Sequence, residues 1–186
     1  PWKKNKNVSY MPYDIFTEPK KINTDFDLII MRDVIEHIPI QKKLNFINKA
    51  LEYGKDNSKL LITFPPFYSP FGLHQQVLLK SIIKYIPFLS SISPKILIPI
   101  LKILNESSNC IDDIKDMYNS KMTISNFESM LNKLDLNITN SKFFYIRPSH
   151  EIRYKINTRE IKHNPIFLLK EFYVLGTVYL VNKRTL

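Results

Sequence analysis

The residues best suited to chemistry stand close together: Arg32, Asp33, Glu36 and His37, with His74 further along the 186-residue chain. An imidazole titrates near neutral pH and can take a proton from a reacting group. A carboxylate one position away, Glu36, can orient it. His37 and His74 are therefore the candidate general bases, with Glu36 as orienting group. The plainer alternative is a buried strand followed by a helix start, with Asp33 as its cap.

These residues need elements to hold them. Phe26 to Met31 is a short apolar run broken only by Asp27, which predicts a strand buried on both faces of a parallel sheet. Ligands in open α/β sheets bind at the carboxyl ends of strands, and the Arg32–His37 cluster falls there. From Gln41 to Tyr53 the apolar residues Leu44, Phe46, Ile47, Ala50 and Leu51 recur at helical spacing, and Gly54 offers a C-cap. Lys59–Phe64 predicts a second buried strand. Strand, helix and strand make a βαβ unit with a right-handed crossover. The loop from Pro65 to His74 combines prolines with Phe67, Tyr68 and Phe71, residues that make a stiff pocket rim.

Phe26-Asp27-Leu28-Ile29 followed by Asp33-Val34-Ile35-Glu36-His37 resembles the fourth strand and following loop of class I S-adenosylmethionine-dependent methyltransferases. The nearest subgroup has a Glu-His pair there, as in the ubiquinone-biosynthesis O-methyltransferases and their small-molecule relatives. The loop Pro65-Pro66-Phe67-Tyr68-Ser69-Pro70-Phe71-Gly72-Leu73-His74 resembles theirs as well. The resemblance implies an α/β fold, a partial Rossmann-like sheet, with S-adenosylmethionine as cofactor and a small-molecule methyl acceptor. It assigns cofactor contacts to Asp14 and Ile15, after the family's third strand, and to Met31, Arg32 and Asp33. In the ubiquinone-type relatives the acids and the histidine of this motif are linked to a divalent metal; Asp33, Glu36 and His37 match the spacing, but the shorter Asp33 leaves a metal unassigned.

The rest of the chain divides by composition. Residues 1–74 read as partial methyltransferase core, with Val8–Phe16 a short strand running into a loop. Residues 75–120 read as a helical insertion. In it, Gln75–Leu89 and Lys95–Leu104 are strongly apolar, but lysines and prolines interrupt every run long enough to span a bilayer. They can form a cap over the substrate, or lie on a membrane surface. Residues 105–120 are polar and read as a mobile link. Residues 121–186 resume the core: a helix from Thr123, capped by Thr123 or by Ser125 with Glu128 in a capping box, then strands at Leu136–Ile146 and Phe172–Val181. In the resembling family these are the last helix and a closing antiparallel hairpin. Arg147–Lys170, basic and holding His150 and His163, is a long connection able to reach the pocket mouth.

The net charge is +10, yet the lysines are scattered without a sustained basic run, which argues against nucleic acid as partner. The single cysteine, Cys110, suits a reducing compartment, and with no secretory signal in view the cytoplasm is the default. There are only three glycines, Gly54, Gly72 and Gly176, none near another, so the family's Gly-rich cofactor loop has no counterpart. Nor do the residues before Val8 leave room for two further βα units of about 30 residues each. The resemblance thus implies an amino-terminally truncated methyltransferase, inactive by itself, with an exposed sheet edge that favours low stability or a homodimer. The rival readings are a degenerate, non-catalytic α/β binding module and a basic peripheral membrane protein.

Overall fold

A computed structural model describes residues 14–16, 25–162 and 169–183. The predicted strand over Val8–Phe16 lies outside the described residues, apart from a turn at 14–16. The fold is α/β: β1 (Phe26–Arg32), α1 (Ile40–Leu51), β2 (Gly54–Phe64), α2 (Gln75–Leu78), α3 (Pro94–Ile103), α4 (Ser108–Ser120), α5 (Ile124–Lys133), β3 (Leu136–Ile146), α6 (Pro148–Tyr154), β4 (Arg159–Glu160), α7 (Lys170–Tyr173) and β5 (Gly176–Lys183). The strands form one sheet in the order β1-β2-β5-β3-β4.

β1 and β2 are parallel, with Met31 opposite Ile62, as a βαβ unit requires. β5 runs antiparallel to β2, and β3 antiparallel to β5. β3 therefore points the same way as β1 and β2. Three strands bring their carboxyl ends to one edge of the sheet, and the predicted closing hairpin is present in β3 and β5.

A principal core gathers Ile35, Ile47, Leu60, Ile62, Phe64, Phe127, Leu131, Tyr179 and Val181. Phe64, Phe127 and Tyr179 pack ring on ring, with centroids 4.8–6.2 Å apart. A second core, of Phe67, Leu73, Leu79, Leu89, Leu97, Leu101, Ile111, Ile114 and Met117, holds the segment after β2 together.

Several elements differ from expectation for local reasons. β1 is not buried on both faces. Among the described residues it lies at one edge of the sheet, where Phe26, Leu28 and Ile30 are about half exposed and line an open apolar hollow of about 410 Å³ with Ile15, Met31 and Phe46. Gly54 is not a helix cap but opens β2, where a Cβ would meet the Ser58 hydroxyl. Gln75–Leu89 is no single helix. It breaks after Leu78 because the Glu106 carboxylate takes the Lys80 and Ser81 N–H groups that a helix would need. The expected mobile link is helix α4, capped by the Ser107 hydroxyl and burying Cys110, Ile111, Ile114 and Met117 along one face. Helix α5 is capped by Thr123. Glu128 binds Lys170 and the Tyr179 hydroxyl instead of closing a capping box, and Ser125 binds Glu171. The last strand begins at Gly176, since Lys170–Tyr173 is a helical turn.

Candidate active site

At the shared carboxyl edge, β1 ends in Arg32 and the chain turns sharply. Asp33 adopts a left-handed backbone (φ 52°), which an aspartate tolerates better than most residues. Its N–H donates to the Thr63 carbonyl at 3.0 Å, and the Thr63 hydroxyl donates to its carboxylate at 3.1 Å. Its second oxygen accepts from the Arg147 guanidinium. Asp33 thus ties together the ends of β1, β2 and β3. Arg147 reaches it because Gly176 opposite has no side chain: a Cβ there would stand 2.5 Å from the Arg147 Cγ.

One turn further, Ile35–His37 form a 3₁₀ turn that buries Glu36 and leaves His37 half exposed. His74, also in a left-handed conformation (φ 55°), meets His37 edge to face, with ring centroids 5.3 Å apart. It is held at the end of a tightly folded loop. The Gly72 N–H donates to the Ser69 carbonyl and the His74 N–H to the Phe71 carbonyl. Gly72 packs so closely on the Phe67 carbonyl oxygen that a Cβ would stand 1.9 Å from it.

The electrostatics of this cluster follow from burial. Among the described residues both carboxyl oxygens of Glu36 are buried with no hydrogen-bond partner beyond its own backbone N–H. Desolvation pushes the acid up to about 8, with the nearby Asp33 charge adding to the effect. Burial and the neighbouring Lys43 hold His37 below the usual histidine range. Burial, then His37 and Arg147, push His74 down to about 4. Lys43, itself buried and donating to the Ile35 carbonyl, is pushed down to about 8 by desolvation. The 3.9 Å approach of His37 Nε2 to Glu36 is thus a contact between neutral groups at neutral pH, not an ion pair.

The two histidines reach into different cavities. His74 lines one of about 320 Å³ with Arg32, Asp33, Phe71, Arg147 and His150. His37 lines another of about 470 Å³ with Gln41, Asp116 and Tyr118. Of the loop aromatics, Phe71 lines the first cavity, whereas Phe67 and Tyr68 turn away and pack around the Lys121 ammonium.

The candidate catalytic residues Glu36, His37 and His74 come together. The five cofactor candidates do not. Arg32 and Asp33 line the His74 cavity. Ile15 and Met31 line the apolar hollow beside β1, and Asp14 is exposed, its carboxylate accepting from the Phe16 N–H at 2.9 Å. The residues described therefore do not enclose S-adenosylmethionine. For a metal the fit is better, with a different set from the one the motif suggests. One ligand atom each from Glu36, His37 and His74 lies within 4.8 Å of the others, and Glu36 is the orphaned buried carboxyl that a cation would satisfy. Asp33 is taken up by Thr63 and Arg147. His150 lines the pocket as its segment suggested, and His163 lies outside the described residues. Thr63, Arg147 and Lys43 escaped sequence reasoning. The strand-end rule that singles out Asp33 would have found Arg147, which follows β3 directly.

No family model matches the sequence, and no curated protein matches it. Among solved structures, the plantazolicin methyltransferase BpumL in complex with SAH aligns at 14% identity with a TM-score of 0.45, covering 92% of this chain and 57% of that one. The same enzyme with a triazolic desmethylPZN analog and SAH aligns at 16% identity and a TM-score of 0.42, covering 92% and 58%. The chain spans little more than half the length of these structures.

Proposed function

We propose that this chain carries the acceptor side of an S-adenosylmethionine-dependent methyltransferase acting on a small molecule. The observation that carries this reading is the neutral His37–His74 pair backed by the buried acid of Glu36. It stands at the carboxyl edge of the parallel strands, where α/β sheets do their chemistry. The bound cofactor would supply an electrophilic methyl group, and what remains for the protein is alignment and proton removal. His37 is the better base, because His74 is held far below neutrality. Glu36 Oε1 lies 3.9 Å from its Nε2, and in the tautomer that keeps the ring proton on Nε2, toward that oxygen, Nδ1 is left to take the acceptor's proton. If Glu36, His37 and His74 instead held a divalent ion, His37 would serve as ligand in place of base and the ion would polarise an acceptor oxygen in the same place.

A second reading, a non-catalytic α/β binding domain, draws support from the scattering of the cofactor candidates over separate cavities. Calorimetric titration of S-adenosylhomocysteine, together with its release from S-adenosylmethionine in the presence of small phenol, amine and acid acceptors, separates the two. The methyltransferase reading expects weak cofactor binding, since the Gly-rich loop is lacking, and slow turnover. His37→Ala should reduce that turnover about 100-fold while sparing cofactor affinity. Neither binding nor turnover would refute catalysis by this chain and leave the binding domain.

A further inference from the structure

Residues 75–105, which follow His74, hold four lysines (Lys80, Lys84, Lys95 and Lys102) and no aspartate or glutamate. Large apolar side chains in the same stretch face solvent: Ile82 is 82% exposed, Val77 78%, Ile103 77% and Tyr85 63%. A single exposed isoleucine is ordinary; a concentration of them marks an interaction surface.

The fold gathers these side chains. The Glu106 carboxylate accepts from the Lys80 N–H at 3.0 Å and the Ser81 N–H at 2.7 Å, tying the end of α3 to the turn that begins at Ile82. The segment that follows Ile103 and Leu104 is thereby tied to the one that precedes Ile82. Along α3, Ile96, Pro99 and Ile103 recur at helical spacing on the outer face, opposite the buried Leu97 and Leu101, with Lys95 and Lys102 on one flank.

We infer that this face docks on an anionic lipid bilayer. Isoleucines enter the boundary between headgroups and acyl chains, Tyr85 sits at the level of the headgroups, and the lysine ammonium groups meet lipid phosphates. Within residues 75–105 every charged side chain is a lysine, which favours this occupant over a protein, whose interfaces carry rims of mixed polarity, although the adjoining α4 bears exposed Asp112, Asp113 and Asp116. Exposed isoleucines favour it over nucleic acid, which offers them nothing to bury against. No helix among the described residues is long and apolar enough to cross a membrane, so the segment lies on the surface. Val77 and Gln76 also line the His74 cavity, so docking sets the mouth of that cavity beside the lipid. Docking of this kind holds whether or not the site transfers methyl groups.

Flotation of the full chain with extruded vesicles tests it. Binding to phosphatidylcholine vesicles containing about 30% phosphatidylglycerol should exceed binding to phosphatidylcholine alone by about tenfold, and fall several-fold in about 0.5 M salt. Ile82→Asn with Ile103→Asn should weaken it about tenfold more, with thermal unfolding unchanged because both side chains are exposed. No binding to the anionic vesicles would overturn the proposal. So would equal binding by the isoleucine variant, since the net charge alone would then account for the attraction. Lys84→Gln with Lys102→Gln gives an independent reading should the first variant fail to fold: about a tenfold loss supports docking by this face, and no loss overturns it.

Discussion

Glu36 is the sharpest point at which the reasoning can fail. Its carboxyl is buried, with no hydrogen-bond partner beyond its own backbone N–H among the described residues, and is pushed up to about 8, whereas in the unfolded chain it ionises near 4.5. Between those values the native state holds a proton that the unfolded state releases. Stability contributed by this group is therefore full below about pH 4.5 and is lost as pH rises toward 8. Over pH 5 to 7.5 the loss amounts to about 3 kcal/mol, with roughly 1.4 kcal/mol for each unit by which the native value differs. His74 works in the opposite sense. Held near 4 by burial, it destabilises the fold in acid and ceases to do so above about 6.5, which flattens the curve of the native chain. The clean readout is thus a difference. Glu36→Gln keeps the shape and neutral state of the acid but cannot ionise. Urea unfolding of both proteins, in chelator so that no metal occupies the site, should show near-equal stability at pH 5. At pH 7.5 the variant should be more stable by about 3 kcal/mol. A difference that stays constant across that range would show that Glu36 ionises normally in the fold, and the neutral-pair description of the site would be wrong.

Two further outcomes follow from the same geometry. Gly72→Ala should destabilise by about 3 kcal/mol or more in urea unfolding, because its Cβ would collide with the Phe67 and Pro66 carbonyls, which are backbone and cannot swing away; a loss under about 1 kcal/mol would mean that the loop holding His74 relaxes freely. Cobalt(II) titration should give visible d–d absorption that strengthens from pH 6.5 to 8.5, as Glu36 gives up its proton, and that vanishes in His74→Ala; absorption retained in that variant would place the metal elsewhere.

How much of this could be read beforehand depended on whether the signal was local. The β1–α1–β2 unit and the closing hairpin were legible, because the apolar runs and helical spacing that encode them lie within each segment. Helix α4 was not, because Ser107, Ile111, Ile114 and Met117 carry its pattern through a stretch whose mean character is polar; averaging hid a periodicity that was present. The break after Leu78 was beyond local reading, since it depends on Glu106 reaching back 26 positions to take the Lys80 N–H. The site shows the same division. That Glu36, His37 and His74 come together is legible from residue type and strand-end position. Their partition between two cavities was not, because it depends on α4 and α6 closing over opposite sides of the pair. Asp33 shows why spacing alone misleads. In sequence it completes an acid-acid-histidine set, yet Thr63 and Arg147 claim both its oxygens, and the place beside Glu36 and His37 falls to His74, which no spacing rule could have paired with them.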